Sequence, residues 1–391
     1  MRSLIKKSVS TICVLAFLFT FTNTFAQEAV PQTPEIPVEE TVSPAEIGVV
    51  PTFGQEIKEK ELEEQQNLLN EMFGGVALGN TEAVEDMMDE GRVDYYRYNE
   101  DGETALTQAI KNNDIEMTQL LVKEAIINLK NEEGETPLTL AIKMQNKDII
   151  PLVMKRAKAS LKNDLGEAPL FLALANKDLH LLQHLIRNGA DVNRHSNGIT
   201  PLAQAVELDN YRAVGYLLRN SATPNLPNDN GDIPLYLAIK NERDVIAGIL
   251  INKSQDAFTD VNWFNAIGDP LVNIAAANGN TELIRMLVEA GASVNELDHE
   301  ENTPLHIAAA NGNDKAVTLL MTYESDINFR NLKGATPLML AAMNGQNGTY
   351  NMLMEYGASE KTKDYLGYTP AEYLANPSLR IETQDNVVAN D

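Results

Sequence analysis

The chain has 391 residues, is 43% hydrophobic and carries a formal net charge of −25. That much apolar content builds a sizeable core, whereas a surface this acidic repels phosphate backbones and anionic headgroups, which makes nucleic acid and membrane surfaces poor partners and basic ones good. A single cysteine, Cys13, excludes an intrachain disulfide framework and a thiolate metal site.

In chain order, Arg2, Lys6 and Lys7 form a positive start, and an apolar stretch follows from Ile12 to Phe21. The stretch is too short to span a bilayer comfortably. Asn23-Thr24-Phe25-Ala26 then places small residues at the −3 and −1 positions before Gln27. Residues 1–26 therefore read as a secretory signal peptide cleaved after Ala26, with a retained membrane anchor as the competing reading. Cleavage removes three positive charges, leaving −28, and removes Cys13. Bulky Ile12 before Cys13, and the apolar run beyond it, argue against acylation there. The mature chain is thus expected to be thiol-free, at home in an oxidising periplasmic or secreted location, and free of membrane insertion. The short, Phe-rich apolar core suits a Gram-negative bacterial signal.

Residues 27–65 hold five prolines and ten glutamates against two lysines, with almost no apolar periodicity. Such a segment cannot offset its ordering entropy, so it reads as an acidic linker, largely disordered to about residue 54. From Gln55 the composition shifts to Glu, Lys, Leu and Gln, which predicts an opening helix. Residues 378–391 read as a flexible polar tail.

Between linker and tail, over 66–377, a glycine recurs at 102, 134, 166, 198, 231, 268, 334 and 367, with Glu301 in the one missing slot. Successive spacings are 32, 32, 32, 33, 37, 33, 33 and 33. Three residues before each slot sits Asn99, Asn131, Asn163, His195, Asn228, Asn265, Asp298, Asn331 or Asp364. Repetition of this length marks a solenoid array. The Asx residue and the glycine close a tight turn. Thr-Pro-Leu then opens a helix, intact at Thr136, Thr200, Thr303 and Thr336: Thr caps free N–H groups, and Pro at the first helical position lacks only a donor that would be idle. Alanines such as Ala141, Ala205 and Ala308 sit where neighbouring helices must approach closely. A second apolar helix ends in a glycine cap, as in Gly189-Ala190-Asp191-Val192-Asn193.

This unit resembles the ankyrin repeat, whose consensus reads G-x-T-P-L-H-x-A-A-x-x-G, a second helix, then G-A-D-V-N. The best match runs from Thr303 to Asn313. The resemblance implies an all-α solenoid of stacked helix-turn-helix units with short β-hairpin or turn tips. It gives about ten units, starting near residues 66, 99, 131, 163, 195, 228, 265, 298, 331 and 364, the last a truncated cap. Ala105 replaces the expected Pro, Ala168 and Ile233 replace the capping Thr, and Gly268-Asp269-Pro270 lacks it. Each lost cap is expected to cost about 0.5–2 kcal/mol locally, softening the middle of the stack. The spacing of 37 inserts residues between Ile251 and Asn265, near Trp263, the only tryptophan.

Chemistry that would argue for an enzyme is sparse. His306 occupies the Thr-Pro-Leu-His slot, where the resemblance implies hydrogen bonds between repeats. His195 and His299 fall at turn tips. His180 and His184 stand four apart on a helix, a spacing that suits two metal ligands, yet no third ligand is evident. No Gly-rich phosphate loop or nucleophile elbow occurs, so no catalytic residue, metal or cofactor is expected. Asn252-Lys253-Ser254 and Asn347-Gly348-Thr349 match glycosylation sequons, of consequence only in a eukaryotic source.

The resemblance implies a docking face formed by the turn tips and first helices. The register places Glu100, Asp101, Glu103, Glu132, Glu133, Glu135, Asp164, Glu167, Asp229 and Asp232 on it in the first half. They form an acidic ridge for a partner with a basic patch, or a solvated one partly neutralised by Lys111, Lys143 and Lys240. Leu332, Lys333, Met343, Tyr365 and Tyr368 follow in the second half, as an apolar interface centre or, for Tyr365 and its neighbour Leu366, a seal on the stack. The expected function is a monomeric, exported, protein-binding scaffold acting as adaptor, inhibitor or stabilising partner. A secreted host-directed effector would differ in destination only, and an enzyme using carboxylates or His180 and His184 is the least supported alternative.

Overall fold

A computed structural model describes residues 53–91, 96–123, 125–252, 259–376 and 378–379. It divides into two units, 1–58 and 59–391. Of the first, only residues 53–58 are described, as the beginning of the helix Phe53–Leu78. The segment expected to be a signal peptide, most of the expected linker, residues 253–258 of the insertion and nearly all of the tail lie outside the described residues.

The second unit is a succession of helix pairs. First helices are Ala105–Lys111, Pro137–Lys143, Pro169–Ala175, Pro201–Glu207, Pro234–Lys240, Leu271–Ala277, Pro304–Asn311, Pro337–Met343 and Pro370–Ala375. Second helices are Thr81–Asp89, Ile115–Leu121, Ile149–Met154, Leu179–Arg187, Tyr211–Arg219, Asp244–Asn252, Thr281–Glu289, Asp314–Thr322 and Asn347–Glu355. First helices pack on first helices of the next pair, and second helices on second along most of the stack.

The capping chemistry explains where each helix begins. Thr104, Thr136, Thr200, Thr303, Thr336 and Thr369 each accept the backbone N–H three residues on. Ala168, Ile233 and Pro270 occupy the same position without a side-chain bond. First helices end where one residue turns left-handed. In the last three full repeats that residue is Gly279, Gly312 or Gly345, but in the first five it is Asn113, Gln145, Lys177, Asp209 or Glu242, at φ of 54–57°.

The alanines expected to permit close approach are fully buried in all eight full repeats, among them Ala109, Ala141, Ala205 and Ala341. Their small size lets large neighbours such as Leu106, Leu138 and Leu202 interdigitate, so each pair buries its apolar face only against the next. A polar ladder runs beside this core. Asn128, Asn193, Asn225, Asn295 and Asn328 each accept, through Oδ1, a backbone N–H from the following repeat at 2.8–3.1 Å. At the far end Tyr373 donates to Asp364 at 2.5 Å and stacks edge-on with Tyr368, centroids 5.6 Å apart. Tyr368 and Tyr373, rather than Tyr365 and Leu366, seal the stack.

Among the described residues the tips are turns, with isolated bridges only at Ser196–Ile199 and Phe264–Pro270. The first is a two-residue reversal in which Asn197 and Gly198 both have positive φ, 51° and 80°, the combination a type I′ turn demands. It replaces the Asx turn where His195 stands in the Asx slot.

Candidate functional site

Each remaining tip is closed by its Asx residue. Asn99 Oδ1 accepts from the N–H groups of Asp101 and Glu103, and Asp298 and Asp364 repeat the pattern at their own tips. Successive tips are tied by single backbone bonds: Glu132 N–H to the Gly102 carbonyl at 2.8 Å, Leu332 to Glu300 at 3.0 Å and Tyr365 to Lys333 at 3.1 Å. The residues after each Asx are thereby presented as a ridge along the stack.

Two acidic residues assigned to that ridge from the register do not lie on it. Glu103 and Glu135 are only 2% and 7% exposed. Asn131 donates from Nδ2 to both Glu103 oxygens at 3.1 Å, and Asn163 does the same to Glu135. Lys111 and Lys143 close the two carboxylates at 2.6 Å each. The residue after the motif glycine turns inward, because its own N–H binds the Asx oxygen and its side chain then meets the next repeat's Asx amide. Burial alone would raise the Glu103 carboxyl, but bonds from Lys111, Thr107 and Asn131 outweigh it and hold the group below its ordinary range.

The other acidic tips divide. Glu100, Asp101, Glu132 and Glu133 are exposed, Glu133 lying 3.4 Å from Lys111. Asp164 is exposed but bound to Lys130 at 2.7 Å. Half-buried Glu167 is held by Lys143 at 2.6 Å, which keeps its carboxyl low. Asp229 is exposed, 3.4 Å from His195, and Asp232 is half-buried. The open acidic surface is therefore concentrated in the first two full repeats.

In the second half, Leu332, Lys333, Met343 and Tyr365 converge on one cleft of about 410 Å³, with Leu340, Leu366 and Tyr373. Tyr368 is not among its walls. Leu332, Tyr365 and Leu366 are 55%, 71% and 65% exposed around it. Arg330 covers one face of Tyr365, 4.9 Å from the ring centroid. A second cleft of about 450 Å³ is lined by Tyr236, Lys240, Asp269, Asn273, His299 and Glu300, among others, and the two clefts share Glu300 and Asn302. Lys333 binds Glu300 at 3.2 Å. Burial would raise the Glu300 carboxyl, yet Lys333 and Asn302 hold it low.

Sequence reasoning overlooked this second cleft, as well as Leu165 and Ile267. Ile267, 64% exposed, is the second residue after its Asx, so the same register could have placed it. Tyr236 and Trp263 stack at 5.0 Å, bringing the tryptophan of the insertion against the wall of the cleft. Here Asn273 takes the place of His306 one repeat later. Its Nδ2 donates to the Asn302 carbonyl at 2.9 Å, as His306 Nε2 donates to that of Ala335 at 3.1 Å. Its Oδ1, however, is buried without a partner, because Pro270 in the cap slot offers neither hydroxyl nor N–H.

His180 and His184 are both exposed on the helix Leu179–Arg187, and among the described residues no group of three or more His, Cys, Asp or Glu is placed to hold a metal. Among the same residues no helix is long and apolar enough to cross a membrane. In the sequon Asn347-Gly348-Thr349, Asn347 is exposed at the start of a helix, and Thr349 is buried and donates to Asp314 at 2.5 Å.

A family model described as "Ankyrin repeats (3 copies)" matches residues 75–163, 148–227, 170–265, 209–298 and 272–364, well over half of the chain. Among solved structures, the ankyrin repeat domain of Bcl-3, a unique member of the IkappaB protein family, is similar at 23% identity. The match covers 52% of this chain and 92% of that one, with a TM-score of 0.49. No curated protein matches the chain.

Proposed function

The chain belongs to the ankyrin repeat family, and from that premise we propose that it is a non-enzymatic scaffold holding a partner protein against its tips and first helices. The observation that carries this reading is the cleft beneath Leu332, Tyr365 and Leu366. Exposed large apolar side chains are ordinary when scattered singly, but three on consecutive tips around a cleft have the makeup of an interface centre. The exposed carboxylates of the first two full repeats favour a partner that is basic on the side facing them.

We place this activity outside the cytoplasm, on the strength of the residue 1–26 signal pattern and the thiol-free chain that cleavage would leave. The protein is proposed to act there as a monomer.

Affinity capture from the native exported fraction tests the reading. The full chain should retain a discrete partner that the Leu332→Asp, Tyr365→Asp double variant releases, while both remain equally folded by circular dichroism. A partner retained equally by the two would place docking elsewhere. An N-terminus beginning at Gln27 on the captured chain would support export, and an unprocessed cytoplasmic chain would contradict it.

A further inference from the structure

We propose that the joined clefts from Asp269 to Tyr365 accept one extended protein segment, seating a lysine or arginine between Asp269 and Glu300 and a large apolar side chain beside Leu332, Met343 and Tyr365. This deepens the scaffold reading and rests on it.

Continuity is the first argument. Glu300 and Asn302 line both clefts, so an occupant of one reaches the other along the same wall. The difference in chemistry is the second. Asp269 and Glu300 bring two partly exposed carboxylates to the first cleft beside Asp298, whose buried carboxylate closes its own turn, and the cleft's own ammonium, Lys240, lies over the Tyr236 ring at 5.5 Å. Lys333 pairs with Glu300, and the His299 ring, 3.2 Å from Asp269, is the group beside which the cation would seat. The first cleft therefore has a charge deficit that a cationic side chain fills, and desolvated walls strengthen that attraction. The second cleft is walled by Leu332, Leu340, Met343, Tyr365 and Leu366, which offer an apolar side chain burial on several sides.

Charge also selects the occupant. A second copy of this chain would set −25 against −25, and nucleic acid would meet the same repulsion. A protein segment with a local positive charge meets neither objection. The two clefts are centred about two repeats apart. With packed helices roughly 8–10 Å apart and an extended chain advancing about 3.3 Å per residue, the cation and the apolar residue should stand about five to six residues apart.

Panning a random phage-displayed peptide library against the full chain tests this. Enriched peptides should carry Lys or Arg at about that spacing from Leu, Ile, Met or Phe. Their affinity should fall at least about tenfold in the Asp269→Asn, Glu300→Gln double variant, and again in Tyr365→Asp. Tyr211→Ser, on a second helix, should leave it unchanged. Enriched peptides that lack a cation, or that bind all the variants equally, would overturn the proposal and leave the scaffold reading standing. A dimer in sedimentation that Tyr365→Asp dissolves would assign the cleft to a second copy and likewise overturn it. No enrichment, together with no partner captured from the exported fraction, would sink both.

Discussion

His306 donates from Nε2 to the carbonyl oxygen of Ala335 at 3.1 Å, so one imidazole ties two successive repeats together. Its Nδ1 accepts the backbone N–H of Thr303 at 3.2 Å, which fixes the tautomer and completes the helix cap. The bond at Nδ1 requires the neutral ring, since a protonated imidazole has no acceptor nitrogen.

A pH dependence follows. Burial, against the opposing bonds to the Ala335 and Phe329 carbonyls, pushes the imidazole down to about 4 from an ordinary 6.5. The unfolded chain therefore takes up a proton between those values that the folded chain refuses. Stability should be full above pH 6.5 and fall as pH drops toward 4, losing about 2 kcal/mol between pH 7 and 5. Glu103, Glu167 and Glu300 have lowered pKa values, so their contribution is present above about 4.5 and lost only below it. Urea denaturation at pH 7 and 5 checks this, and His306→Gln should remove most of the difference.

Glu103 and Glu100 are one turn apart in sequence and opposite in consequence. Glu103→Ala orphans the Asn131 amide and the inner contact of Lys111, and should cost about 1–3 kcal/mol. Glu100→Ala, on the exposed tip, should stay within about 0.5 kcal/mol. A double-mutant cycle of Glu103 with Asn131 should show coupling, and none for Glu100 with Asn131.

Pro270→Thr should stabilise the chain by about 1 kcal/mol, since it restores both a cap and a donor for the orphaned Asn273 Oδ1. The backbone there, φ −72° and ψ 153°, already matches that of the threonine caps. Thermal melting is the measurement, and unchanged or lowered stability would show that Oδ1 is satisfied in another way.

Glu301 sits at φ 61°, in the slot that glycine fills elsewhere. Glu301→Gly should raise stability by about 0.5–1 kcal/mol by relieving the left-handed strain. The same gain is expected at Lys177, φ 54°, and the two should add because they lie in separate repeats. Denaturant midpoints of the single and double variants decide it.

The repeat was legible because its signals are local. An Asx three residues before a glycine, and Thr-Pro after it, specify turn and cap without reference to anything distant. The candidate surface was legible only in part. Glu103 and Glu135 read as tip residues until Asn131 and Asn163, 28 residues further on in each case, are stacked against them. Leu332 and Tyr365 were visible through their register, whereas their union with Leu340 and Tyr373 in one cleft arises only when neighbouring repeats meet. Glu300, the second residue after Asp298, stands in a slot the register covers, whereas its role as a shared wall of two clefts arises only through stacking.

Site-specific photo-cross-linking tests the scaffold claim most directly. Tyr365 at a tip and Val245 on a second helix are exposed alike, 71% and 69%, so a cross-linking residue at either is equally reachable. In the native exported fraction, the account predicts a discrete protein adduct from position 365 and none from 245. Adducts from 245 alone, or equally from both, would contradict it.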